Sequence, residues 1–317
     1  MTHLSEYNVF INKMVSAPDG KTIASACDDT TVRVWDRETF RCICTLSGKD
    51  TMLALSYSPD GKYIAAGSWD RTVYIWEWEK KSLKCSVKLD EPILSIAYSP
   101  DGTRVGVGCN TLVYVLDTEE GRCVTQFPAH KRAILCITYS RKGDRIVTGS
   151  SDTTIRMWNA LTGAHIRTFA RHNDHVNCVA YSPNGKYLAS AGDDGTIRIW
   201  EADSGMFLVT LEMSHQWVSS VSFSSDGEYV VSGGIDNLVS VWYWRSKSKT
   251  CVKQFQFSGT VFVIPDTTNV YFFSHGGNYI GELSIFSLKS ILECLLSRSG
   301  QRPLRDPRIW EQIRRFL

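Results

Sequence analysis

Ten cysteines and seven histidines are the side chains of this 317-residue chain most suited to metal binding or nucleophilic chemistry. A zinc site needs closely spaced ligand pairs, but the sequence has no Cys-x-x-Cys, and Cys42-Ile-Cys44 stands without a second pair. Cys42, Cys85, Cys123 and Cys251 instead stand four residues before the last hydrophobe of a predicted strand. Free cysteine often fills a small apolar space. The sequence therefore predicts no metal site and a reducing compartment.

Aspartate and serine could in principle form a catalytic triad, but turns also require both residue types. The sequence has no glycine-rich phosphate loop of either standard spacing. We therefore predict no catalytic residue and no cofactor, and an interaction protein rather than an enzyme.

A seven-residue pattern, Asp-x-x-Val/Ile-x-hydrophobe-Trp, recurs along the chain. The copies end at Trp35, Trp76, Trp158, Trp200 and Trp242, and a worn copy ends at Leu116. Successive copies are 41, 40, 42, 42 and 42 residues apart. A period of this length is typical of a repeat architecture in which neighbouring units share a core.

Each unit contains four short β-rich runs separated by turn residues. In the fifth unit the runs are 176–181, 186–191, 196–200 and 206–211, with Pro-Asn-Gly, Asp-Asp-Gly and Ser-Gly between them. A single four-stranded sheet cannot cover both of its faces, but radial stacking of several sheets covers them all. The repeat therefore predicts the blades of a β-propeller.

These residues resemble the WD-repeat (WD40) family, whose unit ends in the dipeptide found here as Trp35-Asp36. The resemblance implies a hydrogen-bonded chain of His, Ser or Thr, Asp and Trp within a blade. Units four, five and six carry all four members, whereas units one to three lack some or all of them. The implied sets are His130, Thr148, Asp152 and Trp158; His172, Ser190, Asp194 and Trp200; and His215, Ser232, Asp236 and Trp242. We expect blades two and three to depend more on packing and to be the softer part of the ring.

Three further β-rich runs, 260–264, 270–273 and 281–286, follow the six units without their motif. We predict a degenerate seventh blade, so that residues 8–286 form a seven-bladed propeller; six blades plus a β-rich extension is the alternative. In the family, the ring often closes with a strand from the N-terminus. Only residues 1–7 precede the first unit, so a short closure and one made by the segment after Phe286 both remain open.

The tail, residues 287–317, changes to a helical period. Leu288, Ile291, Leu292, Leu295 and Leu296 share one face of a predicted helix. A second short helix is predicted after Asp306-Pro307, and residues 298–317 carry six Arg against two acids. These helices either pack on the propeller or dock a partner. The tail weakly resembles a SOCS box of ubiquitin-ligase adaptors, although Leu292 stands where the box has Cys.

The composition excludes several classes of protein. With 35 basic and 33 acidic residues, the chain is neither a disordered polyanion nor a uniformly basic nucleic-acid binder. No apolar run reaches the roughly 18 residues of a membrane span, and the N-terminus lacks a signal-peptide pattern. We expect a soluble protein of the cytoplasm, the nucleus or both, without membrane partners; nucleic acid is a less favoured partner.

The resemblance also implies a partner site, because peptides commonly bind WD propellers across the face that carries the turn aspartates. The contacting positions there are the residue before each turn Asp and two positions at the head of each first strand. Bulky Trp69, Trp217 and Leu53 occupy such positions and are candidate anchors. The alternative is that they pack against neighbouring blades. The full predicted set is Phe10, Asn12, Leu53, Trp69, Leu94, Leu135, His175, Asn177, Trp217 and Ile235.

The sequence therefore favours a non-catalytic protein-interaction scaffold that binds peptides or domains of other proteins. The first alternative is a substrate-receptor subunit of a cullin-type ubiquitin ligase that docks through residues 287–317. The second is a propeller hydrolase, which would need carboxylates or a metal in its central channel.

Overall fold

The computed structural model describes residues 2–3, 9–213, 216–246, 251–256, 261–265, 269–274 and 279–284. The predicted tail, residues 287–317, and His215 lie outside the described residues. The described part is all β-structure, with 28 strands and no α-helix. No helix in these ranges has the length and apolar character required to cross a membrane.

Six four-stranded antiparallel sheets follow one another along the chain, each built from consecutive strands. Strand β1 (Thr2–His3) precedes them. The strands of blades one to three are β2 (Ile11–Ser16), β3 (Thr22–Cys27), β4 (Thr31–Asp36), β5 (Cys42–Ser47), β6 (Met52–Tyr57), β7 (Tyr63–Ser68), β8 (Thr72–Glu77), β9 (Ser82–Lys88), β10 (Ile93–Tyr98), β11 (Arg104–Cys109), β12 (Leu112–Asp117) and β13 (Cys123–Pro128). The strands of blades four to six are β14 (Ile134–Tyr139), β15 (Arg145–Ser150), β16 (Thr154–Asn159), β17 (His165–Ala170), β18 (Val176–Tyr181), β19 (Tyr187–Gly192), β20 (Thr196–Glu201), β21 (Phe207–Glu212), β22 (Val218–Phe223), β23 (Tyr229–Gly234), β24 (Leu238–Tyr243) and β25 (Cys251–Gln256).

The blades form a β-propeller because the first strand of each one contacts the first strand of the next, from β2 through β6, β10, β14 and β18 to β22. The predicted Pro-Asp-Gly turn joins the first two strands of a blade. In blade two, Ser58 Oγ donates to Asp60 Oδ1 at 2.5 Å, and Gly61 has φ +73°, a conformation that favours glycine. We call the ring face that carries these turns the lower face, and the face that carries the turn aspartates the upper face.

The hydrophobic core lies between the blades, where the facing sides of adjacent sheets meet. Between blades one and two, for example, Val32 and Val34 belong to the same buried cluster as Met52 and Ile64. Burying such a side chain contributes about 1.5–3 kcal/mol. Each sheet thus covers its neighbour, as the repeat predicted.

The six blades account for the six predicted units, whereas the sequence analysis expected seven blades. The remaining strands, β26 (Val261–Pro265), β27 (Asn269–Ser274) and β28 (Tyr279–Ser284), join β1 in a further four-stranded sheet. Thr2 and His3 pair with Ile280 and Tyr279, so the N-terminus supplies the outer strand of this sheet. Strand β26 contacts both β22 and β2, which places the sheet between blades six and one.

Candidate partner-binding face

Blades four and five each contain a continuous hydrogen-bonded chain of four side chains. In blade four, Trp158 Nε1 donates to Thr148 Oγ1 at 3.0 Å, and Thr148 Oγ1 lies 2.7 Å from His130 Nε2. His130 Nδ1 lies 3.0 Å from Asp152 Oδ2. Because the indole only donates, the hydroxyl can donate to Nε2, which leaves the Nδ1–H to donate to the carboxylate. Blade five repeats the chain through Trp200, Ser190, His172 and Asp194, with bonds of 3.0, 2.8 and 2.9 Å.

These contacts determine the protonation of the blade-four groups. Burial opposes ionisation of Asp152, but hydrogen bonds from Thr154 and the Lys131 amide, together with His130, outweigh burial and lower its pKa to about 2. Burial lowers the pKa of His130 and outweighs the opposing effect of Asp152. In blade five, hydrogen bonds from His172, Thr196 and the Asn173 amide likewise outweigh burial and lower the pKa of Asp194. The turn aspartates of both blades are therefore structural anions.

Blade six departs from the predicted chain. Trp242 Nε1 donates to Ser232 Oγ at 3.1 Å, but the Ser232 hydroxyl lies 3.3 Å from Met213 Sδ and donates to that sulfur. Asp236 Oδ2 is buried and has no hydrogen-bond partner among the described residues, and burial raises the pKa of this carboxyl. His215 lies outside the described residues. The described contacts of Ser232 and Asp236 therefore differ from those of their counterparts in blades four and five, and the predicted part of His215 in this set stays a prediction.

Blades one to three use other partners at the same places. In blade one Trp35 Nε1 donates to Ser25 Oγ at 2.9 Å, while Asp29 pairs with Arg33. In blade two Tyr74 Oη donates to Asp70 Oδ2 at 2.7 Å. In blade three Tyr114 Oη donates to Asp90 Oδ2 at 2.9 Å.

A second set of hydrogen bonds, at the lower face, was missed by the sequence analysis. The side chain two positions after the recurring Trp, or after Leu116, donates to the carbonyl of the turn glycine in blades one, two, three and six. We call this contact the lower clasp. Its members are Arg37 to Gly20 at 2.7 Å, Trp78 to Gly61 at 2.8 Å, Thr118 to Gly102 at 2.9 Å and Trp244 to Gly227 at 3.0 Å. Blades four and five have Ala160 and Ala202 there, so the presence of a donor in the four other blades was the available signal.

The upper face carries the predicted partner-binding residues, and a β-bulge positions half of them. The second residue of every first strand is skipped in the pairing with the neighbouring strand, as between Met52 and Ala54. A bulge redirects a side chain relative to the pleat. The skipped residues are Asn12, Leu53, Leu94, Leu135, Asn177 and Ser219. All six line one central channel of about 1180 Å³, and Ser219 is the one of them that the predicted set did not include.

Two of these positions form equivalent polar pairs that also connect adjacent blades. Asn12 Nδ2 donates to Asp28 Oδ1 at 2.6 Å and to the Met52 carbonyl at 2.9 Å. Asn177 Nδ2 donates to Asp193 Oδ1 at 2.6 Å and to the Val218 carbonyl at 3.1 Å. These predicted contact residues thus also hold neighbouring blades together.

The bulky anchors are exposed rather than packed against neighbouring blades. Trp69 and Trp217 are each 55% exposed, Phe10 is 53% exposed and Ile235 is 37% exposed. The Ile235 amide donates to the Trp217 carbonyl at 3.1 Å, so these two residues are adjacent on blade six. Leu53, Leu94 and Leu135 are half-buried at the channel. Trp217 and Ile235 line the same channel as these leucines, so two exposed apolar side chains border it.

His175 belongs to a small group of possible metal ligands. Together with Asp174 and Asp193 it offers ligand atoms that all lie within 4.8 Å of one another. His175 Nδ1 also lies 3.3 Å from Asp193 Oδ2, so the imidazole and the carboxylate contact each other directly.

The nine cysteines of the described ranges are free. Cys123 is exposed, so the prediction of an apolar environment is wrong for that residue.

The fold and the repeated hydrogen bonds define a propeller of the WD class. The family described as "WD domain, G-beta repeat" matches residues 2–36, 40–77, 121–159, 163–201 and 205–243. The chain therefore belongs to the WD40 repeat family. The matched ranges leave out residues 78–120, which hold the worn copy of the repeat.

One similar protein is "Notchless protein homolog" from Arabidopsis thaliana, which is 38% identical over 42 residues. The alignment spans 13% of this chain and only 9% of the Arabidopsis protein. It is a likeness of about one repeat.

Proposed function

We propose that this protein is a non-catalytic scaffold that binds segments of other proteins on its upper face. The observation that carries the proposal is that Trp69 and Trp217 are each 55% exposed and that Trp217 lines the same channel as Leu53, Leu94 and Leu135. Large exposed aromatic side chains beside a cavity are typical anchors of protein interfaces. The contact set is the predicted one, with Phe10, Leu53 and Ile235 as the apolar members around the two tryptophans.

Affinity purification with quantitative mass spectrometry tests this proposal. The double variant Trp69→Ala/Trp217→Ala should lose partners about tenfold or more relative to wild type. The matched control is Leu161→Ala/Met206→Ala, which removes two equally exposed apolar side chains, 61% and 54% exposed, from turns on the lower face. Unchanged recovery of every partner by the tryptophan variant would contradict the proposal.

We further propose that the sheet of β1, β26, β27 and β28 is the seventh blade, and that the propeller domain comprises residues 8–286 with β1 added. Its position between blades six and one supports this proposal. Deletion of residues 1–7 should then weaken ring closure and lower the melting temperature.

We also propose a cytoplasmic or nuclear location, which a fluorescent fusion protein would test.

A second candidate function is that of a substrate receptor in a cullin-type ubiquitin ligase. The apolar stripe of residues 288–296 favours it, because such a stripe is suited to docking against another protein. Deletion of residues 287–317 should then abolish co-purification with an adaptor and a cullin, while circular dichroism shows a folded propeller. Co-purification that survives the deletion would exclude this role.

The hydrolase alternative finds less support in the channel. Among the described lining residues, the ionisable carboxylate is that of Asp193, which is already bound by Asn177. Activity assays on generic esters and phosphoesters remain the direct test.

A further inference from the structure

Electric charge is distributed unevenly among the blades. Residues 130–171, which include blade four, contain eight Lys and Arg against Asp144 and Asp152, a net charge of +6. The segments on either side, 90–129 and 172–213, each contain two Lys and Arg against six Asp and Glu, a net charge of −4. Since the whole chain has a formal charge of +2, blade four is a basic wedge between two acidic blades.

Three cations of this wedge lie exposed around the upper turn of blade four: Lys131, Arg132 and Arg171. The Lys131 amide donates to Asp152 Oδ2 at 3.0 Å, and the Arg132 carbonyl accepts a bond from Ser150 Oγ at 3.1 Å. Arg171 follows Ala170, which pairs with Thr154 at the other side of the same turn, and its guanidinium stacks on the Phe207 ring of blade five at 4.2 Å. We call these three residues the upper basic patch.

Within the described ranges, no carboxylate forms an ion pair with any member of the upper basic patch. Three carboxylates of blades three to five at this side of the upper face accept hydrogen bonds: Asp152 from the Lys131 amide, Asp90 from Tyr114 and Asp193 from Asn177. Glu91 of blade three and Asp174 of blade five are exposed, so the patch offers three cations beside two exposed carboxylates. The charge that this side of the upper face can offer to a partner is therefore mainly positive.

The net negative charge of blades three and five favours one kind of anionic partner for the upper basic patch over another. A nucleic-acid backbone is a long, regular array of negative charges, and beyond blade four it would meet net negative charge on both sides. A short cluster of Asp and Glu can be confined to one blade. Half-buried Leu135, on the first strand of the same blade, offers an apolar contact that a phosphate backbone does not use.

We propose that the upper basic patch binds an acidic segment, rich in Asp and Glu and carrying aliphatic residues, of the protein that docks on the upper face. This inference rests on the proposed scaffold function, because it specifies the chemistry of the partner at the same face. The patch sets the orientation of the partner: its acidic part lies over blade four, and its apolar part reaches the channel and the exposed tryptophans. Such charge complementarity raises the association rate and selects among partners.

Fluorescence anisotropy with defined probes tests the inference. The probes are a labelled peptide of four Glu-Glu-Leu repeats, its counterpart of four Gln-Gln-Leu repeats, and a labelled DNA duplex. The full chain should bind the acidic peptide best, and the binding should weaken as the salt concentration rises. Charge reversal by Lys131→Glu/Arg132→Glu should weaken it about tenfold or more.

The matched control is Arg141→Glu/Lys142→Glu, which makes the same charge change at the lower turn of the same blade. This variant should bind the acidic peptide within about twofold of wild type, because salt screens the interaction between charges on the lower face and a peptide bound at the upper face. Equal losses in the two variants, tighter binding of the duplex, or no binding of the acidic peptide would each overturn the inference.

Partner capture separates this inference from the proposed function. Loss of partners from both Trp69→Ala/Trp217→Ala and Lys131→Glu/Arg132→Glu supports both conclusions. Loss from the tryptophan variant alone refutes the acidic-partner inference and leaves the scaffold function standing. Retention of all partners by both variants refutes both.

Discussion

Blades four and five differ from blades one, two, three and six in where their strands are held by polar side chains. Blades four and five have the His–Asp chain at the upper end and an alanine at the lower end, Ala160 or Ala202. The other four blades lack that complete chain among the described residues, and all four have the lower clasp. The same four-stranded sheet is thus held by different hydrogen bonds at opposite ends.

The comparison modifies the expectation that blades two and three depend mainly on packing. Trp78 and Thr118 satisfy turn carbonyls, and Tyr74 and Tyr114 bind carboxylates at the upper end. Each satisfied bond contributes about 0.5–1.5 kcal/mol, and more when one partner is charged. The loss of the family's motif in these blades therefore does not remove all polar stabilisation.

The largest expected effect separates blade five from blade six. Asp194→Ala should lower the free energy of unfolding by about 3 kcal/mol, because His172, Thr196 and the Asn173 amide lose a charged acceptor. Asp236→Ala, the matched change in blade six, should cost about 1 kcal/mol. It removes the bond from the Leu238 amide, but the other carboxylate oxygen has no partner to lose among the described residues. Urea unfolding followed by circular dichroism measures both, and equal costs would refute the difference between these blades.

Lowering the pH should change the stability contributions of the turn aspartates of blades four and six in opposite directions. The pKa of Asp152 is about 2 in the folded protein and 3.8 in the reference state, so its contribution is complete above pH 3.8 and disappears as the pH falls towards 2. The contribution amounts to about 2 kcal/mol. The difference in unfolding free energy between wild type and Asp152→Asn should therefore shrink between pH 5 and pH 3.

Asp236 provides the control for this pH dependence. Because its pKa is raised in the folded protein, ionisation of Asp236 opposes folding, and the penalty develops as the pH rises through its folded pKa. Asp236→Asn should therefore gain stability relative to wild type as the pH rises. A parallel pH dependence of the two asparagine variants would contradict the assigned roles.

The lower clasp can be removed from blade three with little change of shape. Thr118→Val should cost about 1 kcal/mol, because the Gly102 and Thr103 carbonyls lose a hydroxyl donor. Thr103→Val is the matched control at an exposed position and should cost less than about 0.5 kcal/mol. If thermal or urea unfolding shows the same small cost for both, the clasp does not stabilise blade three.

The smallest effect is a gain in blade two. Ala66 stands where blade one has Ser25, the acceptor for the indole of Trp35. Ala66→Ser would place a hydroxyl at the corresponding position for Trp76 and should raise the free energy of unfolding by about 0.5 kcal/mol. Ala65→Ser, at the adjacent fully buried position, should instead destabilise the protein, because it buries an unpartnered hydroxyl. A loss of stability in both variants would show that blade two cannot accept the hydroxyl bond.

The strand pattern and turns of the first six blades were predictable because they depend on local chemistry. Alternating apolar residues, Pro-Asp-Gly turns and the recurring Trp define four strands and their limits within about 42 residues. The chains His130–Asp152 and His172–Asp194 could be expected from the family resemblance. The exchange of partners in blade six could not, since Met213 carries no motif that announces a hydrogen bond from Ser232.

The candidate face was predictable in its residue positions but not in its geometry. Resemblance placed Leu53 and Asn177 among the contact residues, whereas the register of the sheets showed that both occupy bulges. Exposure of Trp69 and Trp217 was one of two open alternatives until the neighbouring blades were in place.

By itself, the sequence determined the order and limits of the six repeated sheets, because each sheet is built from neighbouring strands joined by short turns. Tertiary structure decided which polar groups meet, which aromatic side chains remain exposed and how the N-terminal strand pairs with β28. The physical reason is that these contacts join residues 16 to almost 280 positions apart, or lie between adjacent sheets, where the shape and burial of both surfaces select the partner.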